Sequence, residues 1–410
     1  MFGLTAIAAA SMLGSAYAQQ GQTVKIAFID PLSGPFANVG QNQLKHFQFA
    51  ADKLSNKGTP AGVKFEIVPF DNKGSPQESL AVLKSAIDQG IRYVTQGNGS
   101  GAAAAILDAI NKHNERNPGK EVVFLNYAAI DPDLTNARCS FWHFRFDAGV
   151  DMKMEALTSY MQDRKEIKNV YIIGQNYSFG QQVQRFAEEM VARKRPDVKV
   201  VGKDLHPLGQ VKDFAPFIAK IKAAGADTVI TGNWGQDLTL LIKAANDAGL
   251  NANFYTYYAG VIGTPTAIGA GGAERVRMVA YWHPNAEKST IEPMYTEFEA
   301  KFKEEFYTVA SWNALRFLGE GISRAKSADP VKVAFAMEGL KMKGQSGEEL
   351  EMRKNDHALQ QGLYIATWTK AGGKLKHDIE NTGYTFRTER YLDPFVASTP
   401  TSCNMQRPKS

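Results

Sequence analysis

The sequence is poor in the features that announce the commoner functional classes. Its net charge of +5 is spread along 410 residues, and no run of five or six like charges appears. A solvated surface explains such a distribution, and no nucleic-acid partner is expected. After the first residues no stretch of about 20 apolar residues occurs, so no membrane insertion of the mature chain is expected. The seven histidines (46, 113, 143, 206, 283, 357, 377) are scattered, without HExxH or paired spacing. Neither a metal site nor a cofactor is signalled. Cysteine is almost absent, with only Cys139 and Cys403.

The start, "MFGLTAIAAASMLGSAYAQQ", is apolar to Leu13 and carries Ala16-Tyr17-Ala18 ahead of Gln19. This is the small-x-small pattern of a secretory leader, expected over 1–18. No Lys or Arg follows Met1, which leaves a start upstream of Met1 open. An exported chain meets an oxidising compartment, so the even cysteine count predicts one disulfide, Cys139–Cys403, fastening the C-terminal tail.

From residue 24 onward, short apolar strands alternate with helical segments. "VKIAFI" (24–29), "VKFEIVPFD" (63–71), "IRYVTQ" (91–96) and "EVVFLNYA" (121–128) are separated by helices, one of them with Ser75 as N-cap and Pro76 at its first position. The rhythm restarts with "NVYIIG" (169–174), "VKVVGKDL" (198–205), "DTVITGN" (227–233) and "NFYTYYA" (253–259). "RVRMVAYW" (275–282), a helical region over 293–340 and "GLYIATWT" (362–369) follow. Strand–helix alternation of this kind predicts α/β architecture with parallel sheets. Two series of similar length predict two similar lobes. The segment from Tyr384, rich in Pro, Thr and Ser, reads as an irregular tail.

"IRYVTQGNGSGAAAAI" (91–106) passes from a strand through three glycines and a serine into an alanine-rich helix. In open parallel sheets ligands sit beyond the carboxyl ends of the strands. Ser100 stands where an N-cap belongs, and the amides of Gly101 and Ala102 precede helix bonding. Together with the helix dipole they favour an anion, a carboxylate or a phosphate. Gly97, Gly99 and Gly101 permit close approach of backbone to ligand. Asn98 either donates a hydrogen bond there or tolerates a tight turn. "GNGSGA" also fits the loose dinucleotide fingerprint, but it follows the third strand and the next acid, Asp131, comes too late. Ser100 resembles a nucleophile elbow only loosely, because Asn98 replaces the first glycine and no histidine is placed to activate it.

These stretches carry a resemblance to a known family. "VKIAFIDPLSGPFANVG" (24–40), "PFDNKGSPQESLAVLKSAIDQGIRYVTQGNGSG" (69–101), "FLNYAAIDPDLT" (124–135), "IIGQNYSFGQQ" (172–182) and "VITGNWGQDLTLLIKAANDAGL" (229–250) are similar to the periplasmic leucine/isoleucine/valine-binding proteins, type I solute-binding proteins of ABC importers. The resemblance covers most of 22–370. It implies two Rossmann-like lobes joined by three chain crossings, with the ligand in the cleft between them. The crossings are expected near Arg145, Trp282 and Gly344. That divides the chain into 22–145 plus 283–344, 146–282 plus 345–385, and a tail 386–410. The implied partners are a small carboxylated solute and the permease subunits, for a monomer.

The resemblance also implies site positions. Ser100 and Ala128 fall where such proteins hold the ligand carboxylate, and Ile130 stands at a threonine position. Phe179 and Trp234 occupy the aromatic positions that cover the ligand, and Val39 replaces a cleft tyrosine. Ala259 falls where amino-acid binders place an acid against the ligand ammonium. An unpaired buried ammonium costs several kcal/mol or more. An aromatic or aliphatic acid is therefore expected over a plain α-amino acid, unless Asp237 or Asn233 substitutes. Tyr127, Tyr177, Tyr257 and Tyr258 are expected to add flat surfaces and hydroxyls. The alternatives are a branched-chain amino acid or amide/urea-type binder, a secreted serine hydrolase using Ser100, and a sensor or regulator of the same two-lobe type.

Overall fold

The computed structural model describes residues 21–57 and 62–408, so the expected leader lies outside the described residues. The N-terminal lobe opens with β1 (Thr23–Asp30), α1 (Ala37–Lys57), β2 (Lys64–Asp71), α2 (Pro76–Asp88), β3 (Tyr93–Gln96), α3 (Ser100–Arg116), β4 (Val123–Asn126) and β5 (His143–Arg145). The expected cap is present: Ser75 Oγ accepts from Glu78 N–H at 3.3 Å, with Pro76 first in α2. β3 and β4 are buried at every residue. That is the pattern of central parallel strands covered on both faces.

The second lobe comprises α4 (Val150–Met161), β6 (Asn169–Gln175), α5 (Ser178–Lys194), β7 (Lys199–His206), α6 (Ala215–Ala223), β8 (Thr228–Thr231), α7 (Gln236–Asp247), β9 (Asn253–Thr256), α8 (Thr264–Ile268) and β10 (Val276–Ala280). The chain then returns to the first lobe for α9 (Glu292–Phe302), α10 (Val309–Ala325) and α11 (Pro330–Met337). There Phe298 packs on Phe49 and His46 of α1. A small sheet follows, of β11 (Lys341–Lys343), β12 (Glu349–Met352) and β13 (Leu359–Gln360), before β14 (Leu363–Lys370) and β15 (Tyr384–Leu392) complete the second lobe.

The sheet orders are β2-β1-β3-β4-β5 and β15-β14-β10-β9-β8-β6-β7. Read from its β7 end, the second sheet repeats the 2-1-3-4-5 order of the first. In that order the switch point lies between the first and third strands, where a crevice opens at their carboxyl ends. One apolar core runs through both lobes, joining Phe28 and Phe36 to Trp234 and Val279. The lobes are therefore closed on each other.

Two boundaries differ from the sequence reading. Residues 341–360 stay with the first lobe: Arg145 N–H donates to His357 O at 2.9 Å, and the His357 ring stacks on Phe144. The chain passes back just before Leu363, not at Gly344. Strands of two to four residues leave no periodicity to read. The tail is not irregular from Tyr384, because β15 pairs antiparallel with β14 along its whole length, with one bulge at Ile365/Ala366. Beyond it the chain returns across the crossings. Arg353 Nη1 donates to Thr399 O at 2.7 Å, and Ser402 N–H to Asn136 Oδ1 at 2.9 Å. The expected Cys139–Cys403 disulfide is formed, with Cα atoms 5.7 Å apart.

Three histidines sit deep enough to resist protonation. Burial pushes His46, His143 and His283 each down to about 3. An unfolded histidine binds a proton below its ordinary value near 6.5, whereas these folded ones do not. Each contribution is present above pH 6.5 and is lost as pH falls towards 3. For His46→Gln, the stability advantage of the wild type over the variant should shrink by about 1.4 kcal/mol per pH unit between 6.5 and 4. Urea unfolding at several pH values reads this directly, and a pH-independent difference would contradict it.

Candidate functional site

The crevice between β1 and β3 is organised by Asp30, the last residue of β1. Its carboxylate accepts from the amides of Gly97 (3.2 Å) and Asn98 (2.8 Å) and from the Tyr127 hydroxyl (2.7 Å). Asp30 is fully buried, and burial pushes its carboxyl up to about 7 against the pull of these donors. The Tyr127 hydroxyl also lies 2.7 Å from Gln43 Oε1, so its one proton is shared between that oxygen and Asp30, and Asn98 Nδ2 donates to the Gln43 oxygen. The loop ahead of α3 is thus tied from below by three side chains, those of Asp30, Tyr127 and Gln43.

The glycines of this loop serve different ends. A Cβ on Gly97 would lie 2.6 Å from the Tyr127 ring, so Gly97 lets the loop rest on that ring. Gly99 has φ +95°, which a side chain disfavours. Gly101 meets nothing nearer than Pro76 at 3.8 Å and is not required sterically. Gly97 and Gly99 line the cavity.

Helix α3 begins at Ser100, and the cap position belongs to Gly99, one residue earlier than the sequence reading placed it. The first helical bond runs from Ala103 N–H to Gly99 O at 3.1 Å. Ahead of it stand the amides of Ser100, Gly101 and Ala102, the orphan donors of a helix start. Ser100 Oγ accepts from Asp131 N–H at 3.3 Å, which leaves its own proton to donate.

A cavity of about 90 Å³ opens here, several water volumes in size. It brings together Asn98, Ser100, Ala128, Ile130, Tyr177, Phe179, Trp234 and Tyr258, eight of the ten ligand positions read from the sequence. Val39 and Tyr257 line it as well. Tyr127 does not line it but lies beneath the loop, spent on Asp30 and Gln43. Ala259 does not line it either: it is fully buried in the second lobe's own core with Trp368 and Phe386. Its neighbours Tyr258 and Gly260 face the cavity, so the turn after β9 directs the intervening residue away. Asp237 and Asn233 are no substitutes. Asp237 accepts from Gln175 and Gly209, and Asn233 pairs with His206.

The second lobe closes the cavity with aromatic rings. Trp234 Nε1 donates to the Tyr177 hydroxyl at 2.8 Å. The Phe36 ring of the first lobe stacks on Trp234, 4.2 Å between centroids. Gly209 and Gly235 make room for it, since a Cβ on either would lie 2.9 Å from that ring. Tyr258 reaches across to donate to Ala128 O at 3.4 Å. Phe36 was missed in the sequence because it stands outside every strand and helix.

The cavity's charges were also missed. Lys153 and Asp147 line it, both buried, with Lys153 Nζ 2.8 Å from Asp147 Oδ2. Burial pushes the Asp147 carboxyl up and the Lys153 ammonium down, opposed by their mutual attraction. The ammonium lies 4.9 Å from the Tyr258 ring centre, 5.8 Å from Tyr281 and 5.9 Å from Tyr257. Glu305 also lines the cavity, but it accepts from the Tyr295 hydroxyl and from Glu380 N–H. Among the described residues no cluster of three His, Cys, Asp or Glu is arranged to hold a metal.

A family profile described as "Periplasmic binding protein" matches residues 23–374. The chain is 32% identical, over 98% of its length and 97% of the relative's, to "Leu/Ile/Val-binding protein homolog 4" of Brucella abortus. Among solved structures, the closed form of a leucine-, isoleucine-, valine-, threonine- and alanine-binding protein from Brucella ovis is 29% identical. It has a TM-score of 0.84 over 95% of this chain and 100% of that one. An ABC-transporter solute-binding protein from Rhodopseudomonas palustris in complex with 3,4-dihydroxybenzoic acid is 18% identical. Its TM-score is 0.78 over 91% of this chain and 98% of that one, a likeness of fold.

The loop's packing makes a contrast testable. Gly97→Ala should destabilise the protein by about 1–3 kcal/mol through overpacking against Tyr127. Gly101→Ala should leave stability unchanged or raise it by up to about 1 kcal/mol. Chemical unfolding of both variants checks the pair, and equal effects would contradict the placement.

Proposed function

We propose, for a chain that belongs to the periplasmic binding protein family, that it captures a small acid, aromatic or aliphatic, between its two lobes in the periplasm. The family is one of solute-binding proteins of ABC transporters, not of enzymes, which sets aside a hydrolase at Ser100. The ligand carboxylate is received by Ser100 Oγ and the free amides of α3, at the positive end of the helix. Its body lies against Phe179, Tyr177 and Trp234. Contacts made to both lobes favour the shut state, which the permease subunits receive.

One observation carries the preference for an acid without an amine. The cavity already contains an ammonium, that of Lys153, and its two carboxylates, Asp147 and Glu305, each already accept hydrogen bonds. A ligand ammonium would be buried beside a like charge, and Asp147, whose charge Lys153 already balances, would not neutralise a second one. The Rhodopseudomonas protein of the same fold holds 3,4-dihydroxybenzoic acid, a guest of the proposed class. A second reading, a branched-chain amino acid, is favoured by the name of the Brucella relative.

Thermal shift separates the two. A panel of monocarboxylic acids is compared with leucine, isoleucine and valine. The best acid should raise the melting temperature, by about 2.7 kcal/mol of added stability at a hundredfold excess over its Kd. Ser100→Ala should weaken that acid at least tenfold. Stabilisation by the amino acids alone would establish the second reading instead.

A further inference from the structure

We propose that Lys153, together with Asp147, is a specificity-determining residue that selects acids bearing a hydroxyl group away from their carboxylate. The inference rests on the carboxylate reading above and deepens it.

An ammonium has three N–H donors. Lys153 spends one on Asp147 Oδ2, and among the described residues no second oxygen accepts from it. Its remaining donors face tyrosine rings. Ring faces attract a cation but do not replace oxygen acceptors for a charge almost completely withdrawn from water. The residue is 1% exposed, so solvent does not supply the missing acceptor. The cavity lies against it. A ligand oxygen is then the group that completes the ammonium.

The type of oxygen follows from Asp147. Its Oδ1 accepts from Ala148 N–H at 2.7 Å and its Oδ2 from Lys153. A carboxylate oxygen has capacity for a further donor. The pair therefore offers a donor and an acceptor side by side, which is what a hydroxyl uses: it accepts from Lys153 and donates to Asp147. The pair is also neutral in sum. A hydroxyl leaves it so, whereas a second carboxylate would add an unbalanced buried charge. Ser100 belongs to α3 of the first lobe, while Lys153 is on α4, which packs on α5 and β10 of the second. A hydroxy acid touching both would couple recognition to closure.

The test is calorimetric titration with matched pairs: benzoate against 3- and 4-hydroxybenzoate, and hexanoate against 6-hydroxyhexanoate. For the wild type, at least one hydroxylated member should bind tenfold or more tightly than its parent. In Asp147→Asn/Lys153→Met the preference should fall below about twofold. Lys153→Gln, which keeps a donor to Asp147 but no charge, serves if the double variant fails to fold, and should reduce the preference at least threefold. Melting curves check that each variant is folded. Acid binding without a hydroxyl preference, or a preference unchanged in the variants, overturns this inference and leaves the carboxylate reading standing. If no acid in the panel binds the wild type, both fall. If the double variant loses all acids alike while Ser100→Ala loses none, Lys153 seats the carboxylate and both assignments are overturned.

Discussion

The buried carboxyl of Asp30 is the group on which the site is built. It gathers the amides of Gly97 and Asn98 and so fixes where β3 gives way to α3. Tyr127 and Gln43 hold it from below, and the Tyr127 ring sets the height of the loop through its contact with Gly97. Buried polar groups of this kind are costly unless fully partnered, and a fully partnered set locks one arrangement. The consequence is a helix start held at the cavity wall by Gly99 and Ser100.

The opposite wall comes from the other lobe and is mostly aromatic. Phe36 enters the notch at Gly209 and Gly235 and stacks on Trp234, while Tyr258 bonds to Ala128 O. These contacts join the two lobes beside the cavity. The Lys153–Asp147 pair lies where the chain first crosses between the lobes and lines the cavity there. A buried pair is weak evidence of stability in itself, but it is expensive to leave half-satisfied.

Much of this was legible in the sequence because it depends on local pattern. Short apolar strands alternating with capped helices specify parallel sheets, and the glycine-flanked Ser100 marks a helix start at a sheet edge. Asn98 and Ser100 line the cavity on that pattern, whereas Ala128, Ile130, Phe179 and Trp234, which also line it, were legible only through the family resemblance. The two expected positions that do not line it, Tyr127 and Ala259, lie one residue from positions that do, and a turn decides which of two neighbours faces in. Phe36 gave no signal because its role arises from a contact across the lobes, and Lys153 and Asp147 gave none because only the folded chain buries the pair against tyrosine rings. The strand β15 was obscured by the Pro- and Thr-rich segment that follows it, and β11–β13 by their shortness.

The central claim is that an anionic group is seated by Ser100 and the first amides of α3. A crystal structure of the protein with the acid that gives the largest thermal shift tests it most directly. The account predicts carboxylate oxygens about 2.6–3.2 Å from Ser100 Oγ and the Gly101 and Ala102 amides, with the ligand body against Phe179 and Trp234. A ligand seated with that helix start empty, or one presenting an ammonium or a neutral group there, would contradict it.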